Sequence, residues 1–336
     1  MANLRRARTR ELRAAVVGGG VSGTACARTL AAAGVDVTLF DKARGLGGRT
    51  STRREGTTAF DHGAAFFHTV GKRFHALVDE ALAAGAIAPW TGRIRLIDGG
   101  QVGEVVGAQQ RFVAVPGMSG LSRFLANGVA TRTTCRVAEV VPEGSGWRLG
   151  SDEGADLGLF DVLVTAVPAA QAAPLLVHAP ELAGALGEVR MAPTWSVMVS
   201  WDQALELPFE AAYVPMAPVG LLVHDGAKPQ RGDGESWVLH GSTGWSTEHI
   251  GSDPQTVCHA LVLAASSAVG RRLPEPSHAA AHLWRHAAVL APLGVDFLLD
   301  EKRGLGACGD WGRGSTVENA VMSGISLAEA ILARSR

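Results

Sequence analysis

The sequence predicts an α/β protein in which a doubly wound, largely parallel sheet with a small β-meander is interrupted by an α+β domain on a mixed or antiparallel sheet. Three observations predict it. Residues 14–41 run as apolar strand, glycine turn, alanine-rich helix, Gly34 and second strand, the order of a βαβ unit. Residues 132–167 read as short strands (132–141, 146–149 and 160–166) separated by Gly, Ser and Asp turns. The last 30 residues return to a glycine-rich loop and a helix over 317–333, so the sheet that opens the chain is completed at its end.

Residues 14–17 are wholly apolar, as a parallel strand buried on both faces requires, and residues 35–40 form its neighbour. In the middle of the chain Trp195, Val197, Val199 and Trp201 alternate along one strand, and residues 213–223 and 236–240 read as two more. Asp253 can cap a helix over 253–269 with Pro254 in its first turn. This middle block is richer in Trp and Pro than either end. It sets the expected limits: a discontinuous first domain over 12–80, 105–170 and 298–336, and a substrate domain over 81–104 and 171–297. Residues 1–11 are expected to be a flexible tail.

With a net charge of −1 and 19% charged residues, nothing calls for a nucleic-acid partner. No stretch approaches the roughly 18 to 20 apolar residues that cross a membrane, so a soluble protein is expected. The arginines at 5, 6, 8, 10 and 13 read as a solvated arm rather than a targeting signal. The four cysteines, at 26, 135, 258 and 308, have neither CxxC spacing nor the density of a disulfide framework. A cytoplasmic location and no metal are the expectations.

Gly18, Gly20 and Gly23 form a GxGxxG turn with Val21 and Ser22 inside it, placed where a buried strand gives way to a helix. There glycine permits a tight turn and close approach of a pyrophosphate, and the helix amides meet its charge. Asp41 follows at the end of the second strand, with Lys42 beside it. A carboxylate at that distance accepts hydrogen bonds from ribose hydroxyls and repels a 2′-phosphate. The element is therefore a Rossmann-type dinucleotide site. A second glycine motif follows, Arg44 to Thr52 with Gly48 and Arg49 at its centre. A third begins at Gly309 and Asp310 and runs into Glu318, Asn319 and Ala320 at the start of the final helix.

The second motif resembles the RxGGRxxS/T signature of the flavoprotein class that includes amine oxidases, desaturases and renalases. The resemblance implies non-covalent FAD, with Arg49 near the pyrophosphate, Asp310 on the ribityl chain and the final helix aimed at the flavin N1 and O2 edge. Residues 60–67, 115–118, 284–287 and 309–311 together look like the renalase family over nearly the whole chain. That likeness implies Val137 beside the adenine and Ala64, Ala65 and Phe66 along the isoalloxazine ring. The pattern departs at Ala65 and Phe66, where bacterial relatives commonly have Gln and Tyr, and at His286, where they have Tyr.

What it implies of activity is oxidation of isomeric dihydronicotinamides, 2- or 6-dihydro-NAD(P), to NAD(P)+ with oxygen as acceptor and hydrogen peroxide as product. An amine oxidase or biosynthetic dehydrogenase on the same fold is the alternative, although the chain has a single tyrosine, Tyr213, for an aromatic cage. A flavin-binding protein without turnover is the second alternative. Candidate residues around a small-molecule substrate are His62, His240, Trp245, Arg285 and His286. Cys308 is expected to pack rather than to bind flavin covalently.

Overall fold

The computed structural model of the chain describes residues 12–105, 109–232 and 234–334. The expected tail, and with it all of the basic arm but Arg13, lies outside them. The first strand, Arg13–Val17, pairs in parallel with Asp36–Phe40 on one side and Val162–Thr165 on the other. Ala130–Arg132 extends the sheet beyond Asp36–Phe40, and Leu305–Cys308 and the antiparallel Phe297–Asp300 extend it beyond Val162–Thr165, to six strands. Successive side chains of a strand take opposite faces. Ala14, Val16, Val162 and Val164 accordingly pack on the first helix, Val21–Ala32, and the last, Val317–Arg334. Ala15, Val17 and Leu163 face the other way, into a core shared with the meander and with Leu175, Leu176, Leu182 and Leu186.

The two helices touch at backbone distance. A Cβ on Gly324 of the last helix would stand 2.1 Å from the Ser22 carbonyl oxygen of the first. The meander comprises Val137–Glu143, Gly146–Ser151 and Asp156–Phe160. Two expected strands are thereby corrected. The stretch 132–141 divides into the sheet strand ending at Arg132 and the meander strand beginning at Val137. The stretch 160–166 divides at Asp161, whose amide and carboxylate bind the Arg13 carbonyl and amide and turn the chain into the parallel sheet. The apolar residues on either side of Asp161 concealed that turn.

The second sheet has seven strands, in the order His278–Ala291, Arg190–Trp201, Glu235–Gly241, Val219–His224, Ala211–Tyr213, Ile94–Asp98, Gln101–Glu104. One face, carrying Trp195, Val197, Val199 and Trp201, packs on the helix Pro254–Ala268. Asp253 caps that helix, accepting the amides of Gln255 and Thr256 at 2.9 and 3.1 Å. The other face, carrying Ser196, looks across a cavity toward the glycine turns of the first sheet.

Candidate active site

A cavity of about 1860 Å³ lies between the two sheets and takes part of its lining from each. Its volume exceeds the roughly 300–1,000 Å³ of ordinary small-molecule sites, which suits a dinucleotide together with a second ligand. At the first-sheet end the glycines divide by role. A Cβ on Gly23 would stand 1.9 Å from the Gly18 carbonyl oxygen, and one on Gly18 2.5 Å from that of Ala166, so both are required by packing. Gly20 has nothing nearer than 3.9 Å and leaves its backbone open to the cavity beside Val21 and Ser22.

Asp41 is nearly buried. Its Oδ2 accepts the Gly19 amide at 2.5 Å and its Oδ1 the Ala43 amide at 2.7 Å, which fixes the carboxylate at the cavity wall with lone pairs to spare. Lys42 donates to Gln171 at 2.9 Å, and Val137 lines the same end. Gly48 adopts φ +52°, a left-handed turn that favours glycine, and brings Arg49 back across the floor. These features fit an adenosine pyrophosphate.

The family resemblance implies different parts of the cofactor for Arg49 and Asp310; the structure pairs the two with each other. The guanidinium grips the carboxylate with two hydrogen bonds, 2.7 and 2.6 Å, and donates a third to the Ala287 carbonyl at 3.1 Å. Gly309 is held by the Ser323 hydroxyl at 2.9 Å. Ser315 through Ala320 bring the positive end of the last helix to the cavity. Thr316 caps the Asn319 amide at 3.0 Å, and the Asn319 side chain donates to Gly314 at 3.0 Å. Glu318 turns to the loop ahead of Lys72–Ala83, accepting the amides of Val70 and Gly71, both at 2.7 Å. Cys308 is fully buried and outside the lining, where a hydrogen bond to it, with burial, pushes the Cys26 thiol well up.

Ala64, Ala65 and Phe66 run along the wall toward the second sheet, with Ala64 anchored to the Arg49 carbonyl at 2.8 Å and Phe66 tilted against Trp90 at 5.1 Å. The opposite wall is one cross-strand row. His282, Ser196, His240, Leu221 and Tyr213 stand opposite one another on five successive strands and so share a face. The row is polar at one end and apolar at the other. Ser196 Oγ meets His240 Nδ1 at 3.0 Å. Trp284 donates its indole N–H to the His62 carbonyl at 2.7 Å, and the rings of His62, His282 and Trp284 cluster with centroids 4.4 to 5.0 Å apart.

Burial, helped by His282 and Arg53, pushes His62 down to about 4. Burial, with Lys228 and His62, pushes His240 down to about 3. Burial also lowers His282, and His286 with help from Arg49 and Lys42, so this end of the cavity is uncharged at neutral pH except for the exposed Arg285. The carboxylates lining the cavity, among the described residues, are Asp41, Asp310 and Glu318, each engaged at the first-sheet end. Trp245 is corrected: it lies outside the lining, stacked on His249 at 4.1 Å, because the chain leaves the cavity after His240 and enters a short helix, Thr243–Glu248.

Sequence reasoning missed a buried charge quartet behind His62. Asp61 Oδ2 binds Lys228 at 3.2 Å and Arg231 at 2.5 Å, Lys228 also binds Asp225, and all four side chains are at most 1% exposed. Asp61 Oδ1 further accepts the Thr52 hydroxyl at 2.7 Å and the Met118 amide at 2.8 Å. The one available signal was the i, i+3 spacing of Asp225 and Lys228, which reads equally well as a solvated loop. Four charges can be buried together only when mutually paired.

Residues 16–81 match the NAD(P)-binding Rossmann-like domain, and residues 93–332 match the family of flavin containing amine oxidoreductases. Among solved structures, the cyclohexylamine oxidase of Brevibacterium oxydans IH-35A superposes with TM-score 0.74 at 16% identity, covering 97% of this chain and 99% of its own. An oxidoreductase of Methanosarcina mazei gives 0.72 at 12% identity, covering 95% and 100%. A putrescine oxidase bound to putrescine gives 0.69 at 14% identity, covering 96% and 100%. At these identities the neighbours establish the fold, whereas the family match spans well over half of the sequence. The chain is an FAD-dependent oxidoreductase and belongs to the flavin containing amine oxidoreductase family.

Proposed function

We propose that the enzyme oxidises isomeric dihydronicotinamides, 2- or 6-dihydro-NAD(P), to NAD(P)+. Bound FAD would supply the redox chemistry, a two-electron acceptor for the donor's hydride that oxygen could reoxidise to hydrogen peroxide with one further proton from solvent. The observation that carries this reading is the uncharged donor end. Neutral His62, His240 and His282, Trp284 and the Leu221–Tyr213 half of the row suit a neutral, planar donor ring bearing a polar group. Arg285 at the mouth suits the phosphates of such a donor. In the renalase-like scheme Asp41 and Val137 hold the adenosine, the glycine turn with Arg49 the pyrophosphate, and Asp310 the ribityl chain. Residues 64–66 and the first turn of the last helix face the ring. None of these residues has to move a proton, because hydride leaves a carbon and the oxidised nicotinamide needs no base.

The alternative, oxidation of an amine, is favoured by the name of the family and by Tyr213, Phe66 and Trp90 near the donor end. It asks the site to accept the neutral free base, since among the described residues no carboxylate lines this end of the cavity and those of Asp61 and Asp225 behind His62 are already paired with Lys228 and Arg231. Single-turnover bleaching of the flavin under argon separates the two readings. The expected result is reduction by 2- or 6-dihydro-NAD(P) at least 100-fold faster than by NADH or primary amines. Slow bleaching by every dihydronicotinamide beside rapid bleaching by an amine would replace this reading with the alternative.

A further inference from the structure

The edge strand His278–Ala291 breaks register with its neighbour inside the cavity. Thr194 stands opposite Trp284 and Ala192 opposite Ala288, so one strand runs longer than the other between the two pairs. Pro193, which has no N–H to continue the ladder, faces the surplus. A regular strand turns only every second side chain to one face. Here the bulge brings every residue from Trp284 to Ala288 into the cavity lining. Its backbone serves the first-sheet end, where the Ala287 carbonyl receives Arg49, and its Arg285 side chain is left over.

Among the described residues the lysines and arginines that line the cavity are Lys42, Arg49, Arg136 and Arg285. The first three are engaged within the protein: Lys42 donates to Gln171 at 2.9 Å, Arg49 grips Asp310 at 2.7 and 2.6 Å, and Arg136 meets Asp152 at 3.2 Å. Arg285 is exposed, and no described carboxylate, carbonyl or aromatic ring stands against it. Its charge is still felt inside the cavity. Burial, then Arg49, Lys42 and Arg285, hold the neighbouring His286 ring below its ordinary range. Cations that disfavour a proton there favour an anion in the same place.

We propose that Arg285 is a specificity-determining residue of the donor end: it receives a phosphate of the donor, so that the site selects dihydronicotinamide nucleotides over the corresponding nucleosides and free rings. A guanidinium presents a planar fork of N–H donors that matches two phosphate oxygens at once, which an ammonium does not. The position suits the donor rather than the cofactor. Arg285 follows directly on Trp284, whose indole holds the His62 carbonyl at the donor end, whereas the first-sheet end has its own charges in Asp41, Lys42, Arg49 and Asp310. The inference rests on the proposed reading in that a dihydronicotinamide nucleotide carries such a phosphate.

Anaerobic single-turnover bleaching of the holoenzyme by 6-dihydronicotinamide mononucleotide and by its riboside tests it, because the two share the ring and differ by the phosphate. The mononucleotide is expected to reach half-maximal bleaching at a concentration about tenfold lower, or less. Arg285→Gln should weaken the mononucleotide about tenfold and the riboside less than about threefold. Arg285→Lys, which keeps the charge and loses the fork, should recover part of the difference. Added salt should weaken the mononucleotide in the parent more than in Arg285→Gln, because exposed charges are screened. Equal half-saturation by mononucleotide and riboside, or equal losses of both in Arg285→Gln, overturns the proposal. Loss of FAD from Arg285→Gln also overturns it, since that assigns the guanidinium to the cofactor's own phosphates. The two ideas fail separately. If no dihydronicotinamide bleaches the flavin, the oxidised mononucleotide and riboside are titrated as dead-end ligands against the visible flavin band. A preference for the mononucleotide that Arg285→Gln abolishes then removes the proposed substrate and leaves the phosphate site, and no preference removes both. Rapid bleaching by both reduced compounds at equal half-saturation leaves the substrate and removes the site.

Discussion

Arg49 and Asp310 lie 261 residues apart and meet in a two-pronged ion pair inside the cavity. Each was legible alone, as a charged residue in a glycine loop, but the pairing was not, because nothing local in sequence records a contact between chain ends. The pair predicts that Asp310→Ala releases the guanidinium and removes a charged acceptor. A hydrogen bond to a charged group contributes about 1.5–3 kcal/mol, so FAD affinity should fall about 10- to 150-fold, read by titrating the apoprotein and following flavin fluorescence. Asp310→Asn should lose less. The histidines give a second prediction at this scale. His62 and His240 ionise near 4 and 3 in the fold, below the ordinary 6.5, so the native state refuses protons that the unfolded chain accepts between those values. Their contribution is complete above pH 6.5 and is lost as pH falls toward 4 and then 3, by at most about 1.4 kcal/mol per pH unit for each ring. Urea midpoints between pH 8 and 4 should therefore fall less steeply in His240→Gln than in the parent, and parallel curves would refute the assignment.

At the scale of elements, the βαβ unit and the capped helix Pro254–Ala268 were legible because their signals are local: a glycine turn after an apolar strand, and Asp253 ahead of Pro254. The division at Asp161 and the departure of Trp245 from the cavity were not, since each depends on which distant backbone a segment meets. The contact between the first and last helices is of the same kind. Gly324→Ala places a methyl where the Ser22 carbonyl stands and pushes apart the two helices whose N-termini face the cavity. Loss of FAD affinity together with a lower Tm is expected, because both first turns shift at once. The buried quartet gives the strongest stability prediction. Lys228→Met leaves Asp61 and Asp225 short of one positive charge in the interior, and breaking such a network costs about 3–5 kcal/mol. Urea unfolding of the variant checks it, and a change under 1 kcal/mol would mean that the quartet relaxes without its lysine.

At the scale of the whole molecule, one strand reaches both ends of the cavity. His278–Ala291 carries His282 and Trp284 in the donor wall. A few residues later its Ala287 carbonyl receives the guanidinium of Arg49, and its Val289 amide meets the Ser315 hydroxyl at 2.6 Å, just ahead of the last helix. No described helix is long and apolar enough to cross a membrane. The occupancies of the two ends are thermodynamically reciprocal whatever carries the coupling, and this strand borders both: whatever factor FAD adds to the affinity of an amide probe, the probe must add to the affinity of FAD. Calorimetric titration of apoprotein and holoenzyme with nicotinamide would measure that factor, and retention of FAD during dialysis against nicotinamide would return the same number from the opposite side of the cycle.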